Sequence, residues 1–340
     1  MSPALSPERI AGDARLLLHK VDPTRRQLIF RRTTADAVRS AAFIDGRTDI
    51  WTGEPLAISF DDALALKPPP ELKERRYIFH MSFCGSTLLA RLLDRPGKTL
   101  SLKEPNCLVD LAYWRTALVA ANAATTEFDP VLQFAAATLG RSWNAGEQVV
   151  VKPSSWANNL IDKLAPAAGR AVFVTIARDR FVEAVVRGGN DRLAFTARLA
   201  AHLSPFVSGG PAALQSAIDS TEDPLGKVAR LALVAHDLEL RLFEAHLGGD
   251  QRGAVDLAEI EDDPAGAAST AATILGLRLG ADEIDENCGR WTREHAKADA
   301  AYSSAERRVE NDQVRAQYGE LIDSALNWSE TALGPPLLQR

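Results

Sequence analysis

The stretch Arg76–Asp94, RYIFHMSFCGSTLLARLLD, decides the fold. Tyr77, Ile78 and Phe79 make an apolar run the length of one buried strand. Gly85 breaks the run. Ser86 and Thr87 follow, and both residue types favour a helix N-cap or first turn. Leu88, Leu89, Leu92 and Leu93 then recur at helical spacing. Strand, small-residue loop and helix in this order form a cradle for an anion, built from backbone N–H groups and the positive end of a helix.

Downstream, the pattern repeats. Thr99–Lys103 reads as a second strand, closed by Glu104-Pro105, and Pro105 suits the first turn of the next helix. Residues 129–142 read as a helix. Gln148–Val151 is a third strand, closed by Lys152-Pro153 and followed by a helix over Trp156–Leu164. Ala171–Ala177 is an unbroken apolar run of the kind found in a parallel sheet covered on both faces, and it ends at Arg178-Asp179. Ala254–Ile260 is a fifth strand, with a helix from Pro264 to Leu275 after it. Strands alternating with helices predict a doubly wound α/β sheet. A helical insert fills 190–250, where Val228, Leu231, Ala235, Leu238 and Leu242 mark one long amphipathic helix. Ser303–Trp328 also reads as helical.

Upstream, residues 7–20 read as an amphipathic helix capped by Ser6, Gln27–Arg32 as a strand, and Ala35–Ala42 and Asp61–Leu66 as helices. Pro68-Pro69-Pro70 makes a stiff connector. Residues 1–70 are therefore expected to be an N-terminal elaboration on a main domain spanning 71–340.

A chain of 340 residues, 46% hydrophobic, can bury a sizeable core. Its net charge of −6 argues against a nucleic-acid partner. The three cysteines, Cys84, Cys107 and Cys288, lie far apart, and the six histidines form no His-x-x-x-His pair. Neither a disulfide framework nor a metal site is expected. No stretch reads as a signal peptide or a membrane span, so a soluble, cytoplasmic protein without a membrane partner is expected.

The charged residues sit where apolar strands stop: Lys103 and Glu104, Lys152, and Arg178 and Asp179. Ligands of open parallel sheets bind outside the carboxyl ends of the strands, the edge that also carries loop 80–87. A solvated charge explains any single case. Three successive strand ends beside an anion loop favour a site.

In these residues the chain resembles the sulfotransferases that use 3′-phosphoadenosine 5′-phosphosulfate (PAPS). Gly85-Ser86-Thr87 matches the family's first loop, Lys103-Glu104-Pro105 its Lys/Arg-Glu-Pro strand end, and Arg178-Asp179 the start of its 3′-phosphate motif. Gly289-Arg290-Trp291 through His295-Ala296-Lys297 is similar to the basic C-terminal segment of bacterial members. The resemblance spans roughly 76–330. It implies a P-loop-like sheet, PAPS as co-substrate, and a small-molecule or glycan acceptor. It places Cys84, Gly85, Ser86, Thr87, Leu88, Arg178 and Arg187 against the nucleotide. Glu104 becomes the base that takes the acceptor's proton, with Lys103 beside it. Three departures stand out. Phe83 occupies the place of the usual loop cation, Leu88 that of an adenine-facing tryptophan, and Val186 that of a serine whose role passes to Arg187.

Two other readings remain. A nucleotide-dependent kinase needs Gly-x4-Gly-Lys-Ser/Thr, but His80 stands at the first glycine and Ser86 at the lysine. A non-catalytic module could keep the fold, and Phe83 favours that reading. Cys84 reads more simply as a small loop residue than as a nucleophile, and His80 as a strand-end core histidine. Trp156 and Trp291 read as packing residues, while His295 sits among Arg290, Arg293 and Lys297.

Overall fold

A computed structural model describes residues 6–66, 74–165, 169–291 and 304–335. The triple proline at 68–70 and the segment around His295–Lys297 lie outside the described residues. The first sheet is antiparallel, in the order β1 (Leu16–Asp22), β2 (Gln27–Arg32) and β3 (Thr52–Ser59). The second contains β4 (Arg76–His80), β5 (Thr99–Lys103), β6 (Gln148–Lys152), β7 (Arg170–Thr175) and β8 (Arg252–Asp256). Its five strands are all parallel, in the order β5-β6-β4-β7-β8. Helices flank it, as expected for strands this apolar: every residue of β5 and β6 is buried. The chain winds from β4 toward β5 on one side and toward β7 on the other. The strand order therefore reverses at β4, where open α/β sheets form their ligand crevice.

After helix Arg178–Arg187, the stretch expected as a helical insert over 190–250 holds Gly189–Leu203, Gly210–Asp219 and the long Pro224–Glu244. A final helix, Ser304–Ala332, packs along Arg178–Arg187 and Pro224–Glu244.

Three expectations need correction, and one strand was not expected. The helix expected over 7–20 stops at Gly12, and Leu16–Asp22 is a strand. Leu16, Leu17 and Leu18 are all buried, so this run is covered on both faces instead of lying along one helical stripe. β3 had no counterpart in the sequence reading: its pattern is mostly exposed and includes Pro55. The fifth strand ends at Asp256, not Ile260, because Asp256 and Glu259 form a reciprocal capping box that starts helix Leu257–Asp262. The helix expected over Trp156–Leu164 begins as a 3₁₀ helix, Ser155–Leu160.

The two sheets share one continuous apolar core. Buried polar contacts fix their relative position. Val21 N donates to Asp110 Oδ2 at 3.0 Å, Ile44 N donates to Lys103 O at 2.8 Å, and Arg39 pairs with Asp94 and Glu147 at 2.8 and 2.6 Å. Full burial of a side chain such as Phe30 or Phe60 is worth about 1.5–3 kcal/mol.

Candidate functional site

The loop after β4 turns through two left-handed residues, Phe83 (φ 66°) and Gly85 (φ 76°). Gly85 caps helix Ser86–Leu92, whose first intrahelical bonds run from Leu88 and Leu89 to Gly85 O. The N–H groups of Ser86 and Thr87 precede these bonds and so have no partner within the helix. A Cβ on Gly85 would meet Leu257 Cδ1 at 2.9 Å, so glycine is required here twice over. Ser82 Oγ and Ser155 Oγ lie 2.9 Å apart, tying the loop to the segment after β6. Cys84 Sγ donates to Met81 O at 2.8 Å, and burial pushes its thiol up to about 11, which makes it inert.

Beside the loop, three neighbouring strand ends converge. Lys152 Nζ lies 2.6 Å from Glu104 Oε1 and 2.9 Å from His80 Nε2. His80 Nδ1 lies 2.8 Å from Met81 O, and Nε2 also lies 2.9 Å from Pro153 O. Glu104 sits in left-handed backbone (φ 58°), with its N–H held by Lys152 O. Burial would raise its carboxyl, but Lys152, His80 and Arg47 together hold it below the ordinary glutamate value. Arg47 NH2 reaches Glu104 Oε2 at 3.4 Å, and its guanidinium stacks 3.9 Å above the Phe43 ring. The N-terminal segment thus contributes to the site.

Beneath the cluster, Asn158 Nδ2 donates to His80 O and to Glu239 Oε1 at 3.1 and 2.8 Å. Glu239 is fully buried, and desolvation raises its carboxyl well above the usual range.

No protein-family model matches this chain, and no curated protein matches its sequence. Among solved structures, it is similar to a sulfotransferase domain from the curacin biosynthetic pathway. The identity is 12%, the TM-score 0.40, and the match covers 73% of this chain and 98% of that one. It is also similar to retinol dehydratase in complex with androsterone and the inactive cofactor PAP. There the identity is 12%, the TM-score 0.38 and the coverage 80% and 84%. Retinol dehydratase with retinol and PAP matches at 12% identity and TM-score 0.32, covering 81% and 87%.

The residues expected at the site divide into two groups. Gly85, Ser86, Thr87 and Glu104 stand at or beside the loop, and Leu88 is half-buried in the helix that follows it. Lys103 is turned away from the loop. Its ammonium group donates to Val38 O and Arg39 O at 3.0 and 3.1 Å, tying the N-terminal unit to the sheet. Burial lowers its pKa to about 8, against the pull of Asp94. Arg178 is buried. Its NH1 donates to Ser329 Oγ and Gly334 O at 3.3 and 3.0 Å, and NH2 lies 3.9 Å from Asp237. Arg187 is bonded to Asn311 through NH1. Both arginines are thus engaged by the C-terminal part of the chain.

Sequence reasoning missed Arg47, Asn158 and Arg192, and it treated His80 as core. Arg192 lies with its Cζ 4.6 Å from the centroid of the Phe83 ring. No local signal in sequence marks these residues, because each reaches the loop across the fold. Among the described residues, no group of three or more His, Cys, Asp or Glu could hold a metal ion, and no helix is long and apolar enough to cross a membrane.

Proposed function

We propose that this chain transfers a sulfuryl group from PAPS to a hydroxyl or amine of a small molecule or glycan. The observation that carries this reading is the Lys152–Glu104–His80 cluster beside the loop, with contacts of 2.6 and 2.9 Å. The loop N–H groups at Ser86 and Thr87 suit the 5′ end of the nucleotide. Lys152 sets a positive charge against the oxygen from which the sulfuryl departs. Glu104, held ionised by its cationic neighbours, accepts the proton of the attacking hydroxyl. The acceptor pocket lies between the sheet edge, the helical insert and the N-terminal unit.

The 3′ end of the nucleotide fits less simply, because Arg178 and Arg187 are bonded to the C-terminal part of the chain. This favours a second reading, a module that binds an anion without turnover. A kinase is disfavoured by the missing loop lysine.

Calorimetric titration with 3′-phosphoadenosine 5′-phosphate (PAP), alongside ATP with magnesium, tests the proposal. Tight PAP and weak ATP binding are expected. Tight ATP binding would move the assignment to a kinase, and binding of neither would overturn the nucleotide reading.

A further inference from the structure

A cavity of about 390 Å³ opens between four segments: helix Asn106–Ala120, the 3₁₀ helix Ser155–Leu160, the turn at 206–208, and the C-terminal end of helix Pro224–Glu244. Neither loop 80–87 nor the Lys152–Glu104–His80 cluster lines it. Its size falls among small-molecule clefts, which run from roughly 300 to 1,000 Å³.

Two of its lining side chains have hydrogen-bonding capacity left over. Asn158 is fully buried and Asn159 nearly so. Asn158 gives Nδ2 to His80 O and Glu239 Oε1. Asn159 gives Nδ2 to Ala112 O and Thr116 Oγ1, at 3.0 and 3.2 Å. These bonds fix both amides, so Oδ1 is the atom left over in each. Among the described residues, neither Oδ1 has a hydrogen-bond partner. Buried amide oxygens are nearly always satisfied, so this pair points to a bound group that donates.

The charges on the wall are matched in place. Arg115 pairs with both carboxylate oxygens of Asp162, NH2 lying 2.9 Å from Oδ2. Arg241 Nε lies 2.8 Å from Asp237 Oδ2. His246 Nδ1 faces Leu242 O at 2.7 Å. A net charge on a ligand would find no unmatched counter-charge here, and its desolvation would go uncompensated. Phe206 and Leu242 give the cavity an apolar side. Donor groups, no net charge and an apolar face describe a neutral polyol, whose C–H groups pack on apolar side chains while its hydroxyls donate.

We propose that this cavity is a second binding site, taking a small neutral polyhydroxylated molecule of monosaccharide size through Asn158 Oδ1 and Asn159 Oδ1. The site stands apart from the sulfuryl-transfer reading and does not depend on it. Asn158 nonetheless ties it to the loop, because its Nδ2 also donates to His80 O at 3.1 Å. Ordered water on both amides is the competing account.

The test is calorimetric titration of the full chain with glucose, galactose, mannose and myo-inositol, beside the charged glucosamine and glucuronate. Saturable one-to-one binding of at least one neutral compound is expected, tighter than that of either charged one. Asn159→Leu removes one of the two oxygens, while Thr116 Oγ1 still donates to Ala112 O, and should weaken binding by roughly tenfold. Ala245→Trp, at an exposed position on the cavity rim, blocks entry without touching the core and should weaken binding at least as much. PAP should not displace the bound polyol. No saturable binding of any of the four neutral compounds would mean that water alone fills the cavity, and would overturn the proposal. Tighter binding of a charged sugar would overturn it too, as would full affinity in Ala245→Trp. Displacement by PAP would move the polyol to the loop site and would also overturn it. Failure of PAP itself to bind would remove the nucleotide reading and leave this one standing.

Discussion

Lys152 and Glu104 close a 2.6 Å ion pair between the ends of two neighbouring strands, with the lysine fully buried and the glutamate side chain 12% exposed. The pair is asymmetric, since Arg47 and His80 also face the glutamate. Removing one partner leaves a buried charge, which costs about 3–5 kcal/mol. Lys152→Met is therefore expected to lower unfolding free energy in urea by about 3 kcal/mol. Glu104→Gln should cost at least as much, because it leaves the fully buried Lys152 without its carboxylate, whereas Glu104 without Lys152 still faces Arg47 and His80. The double variant should lose less than the sum of the two. Glu104→Gln should also abolish sulfuryl transfer while PAP affinity is largely kept. Unchanged turnover would exclude Glu104 as the base.

Gly85 is a tight position. Its φ of 76° and the 2.9 Å approach to Leu257 Cδ1 both oppose a side chain. Gly85→Ala is expected to destabilise the chain by about 1–3 kcal/mol. The loop should shift with it, so anion binding should fall even at temperatures where the variant is folded. Near-wild-type thermal unfolding and affinity would show that helix Leu257–Asp262 gives way freely.

Arg178 joins the sheet to the C-terminal end of the chain through Ser329 and Gly334. Arg178→Ala should release helix Ser304–Ala332, read as faster amide hydrogen exchange along it. If Arg178 holds a 3′-phosphate, the variant must also weaken PAP more than adenosine 5′-monophosphate. Equal weakening of both would confine Arg178 to the structural role.

His236 and His202 carry an acid liability. Burial lowers both pKa values to about 4, opposed by hydrogen bonds to Ile176 O and Trp156 O respectively. Between pH 6.5 and 4 the unfolded chain binds a proton at each histidine that the native chain refuses. Stability therefore falls as pH drops through this window. For His236 the loss between pH 7 and 5 is about 2 kcal/mol. Urea unfolding at the two pH values should show His236→Gln losing less on acidification than the unaltered chain. Equal losses would show that His236 takes up its proton without unfolding.

Lys103 and Lys152 show the limit of sequence most sharply. They end adjacent parallel strands in direct register, and both are fully buried. Nothing local separates them. Only the packing of the N-terminal unit does: it offers Lys103 two backbone carbonyls, while Glu104 and His80 meet Lys152.

The sequence by itself determined the local periodicities and their punctuation. Apolar runs bounded by charge and proline gave the five parallel strands and the long helix Pro224–Glu244. Gly85 with Ser86 and Thr87 gave the loop. These features depend on neighbours within a few residues, where steric and hydrogen-bonding preferences act directly. Leu16–Asp22 and Thr52–Ser59 escaped because their strand character comes from pairing with β2, a contact between distant residues. The tertiary structure alone decided which charges meet. It brought Arg47 to Glu104 and Arg192 to Phe83, and it turned Arg178 and Arg187 toward the C-terminal part of the chain. A long charged side chain can satisfy itself against any surface within its reach, and the fold determines which surface that is.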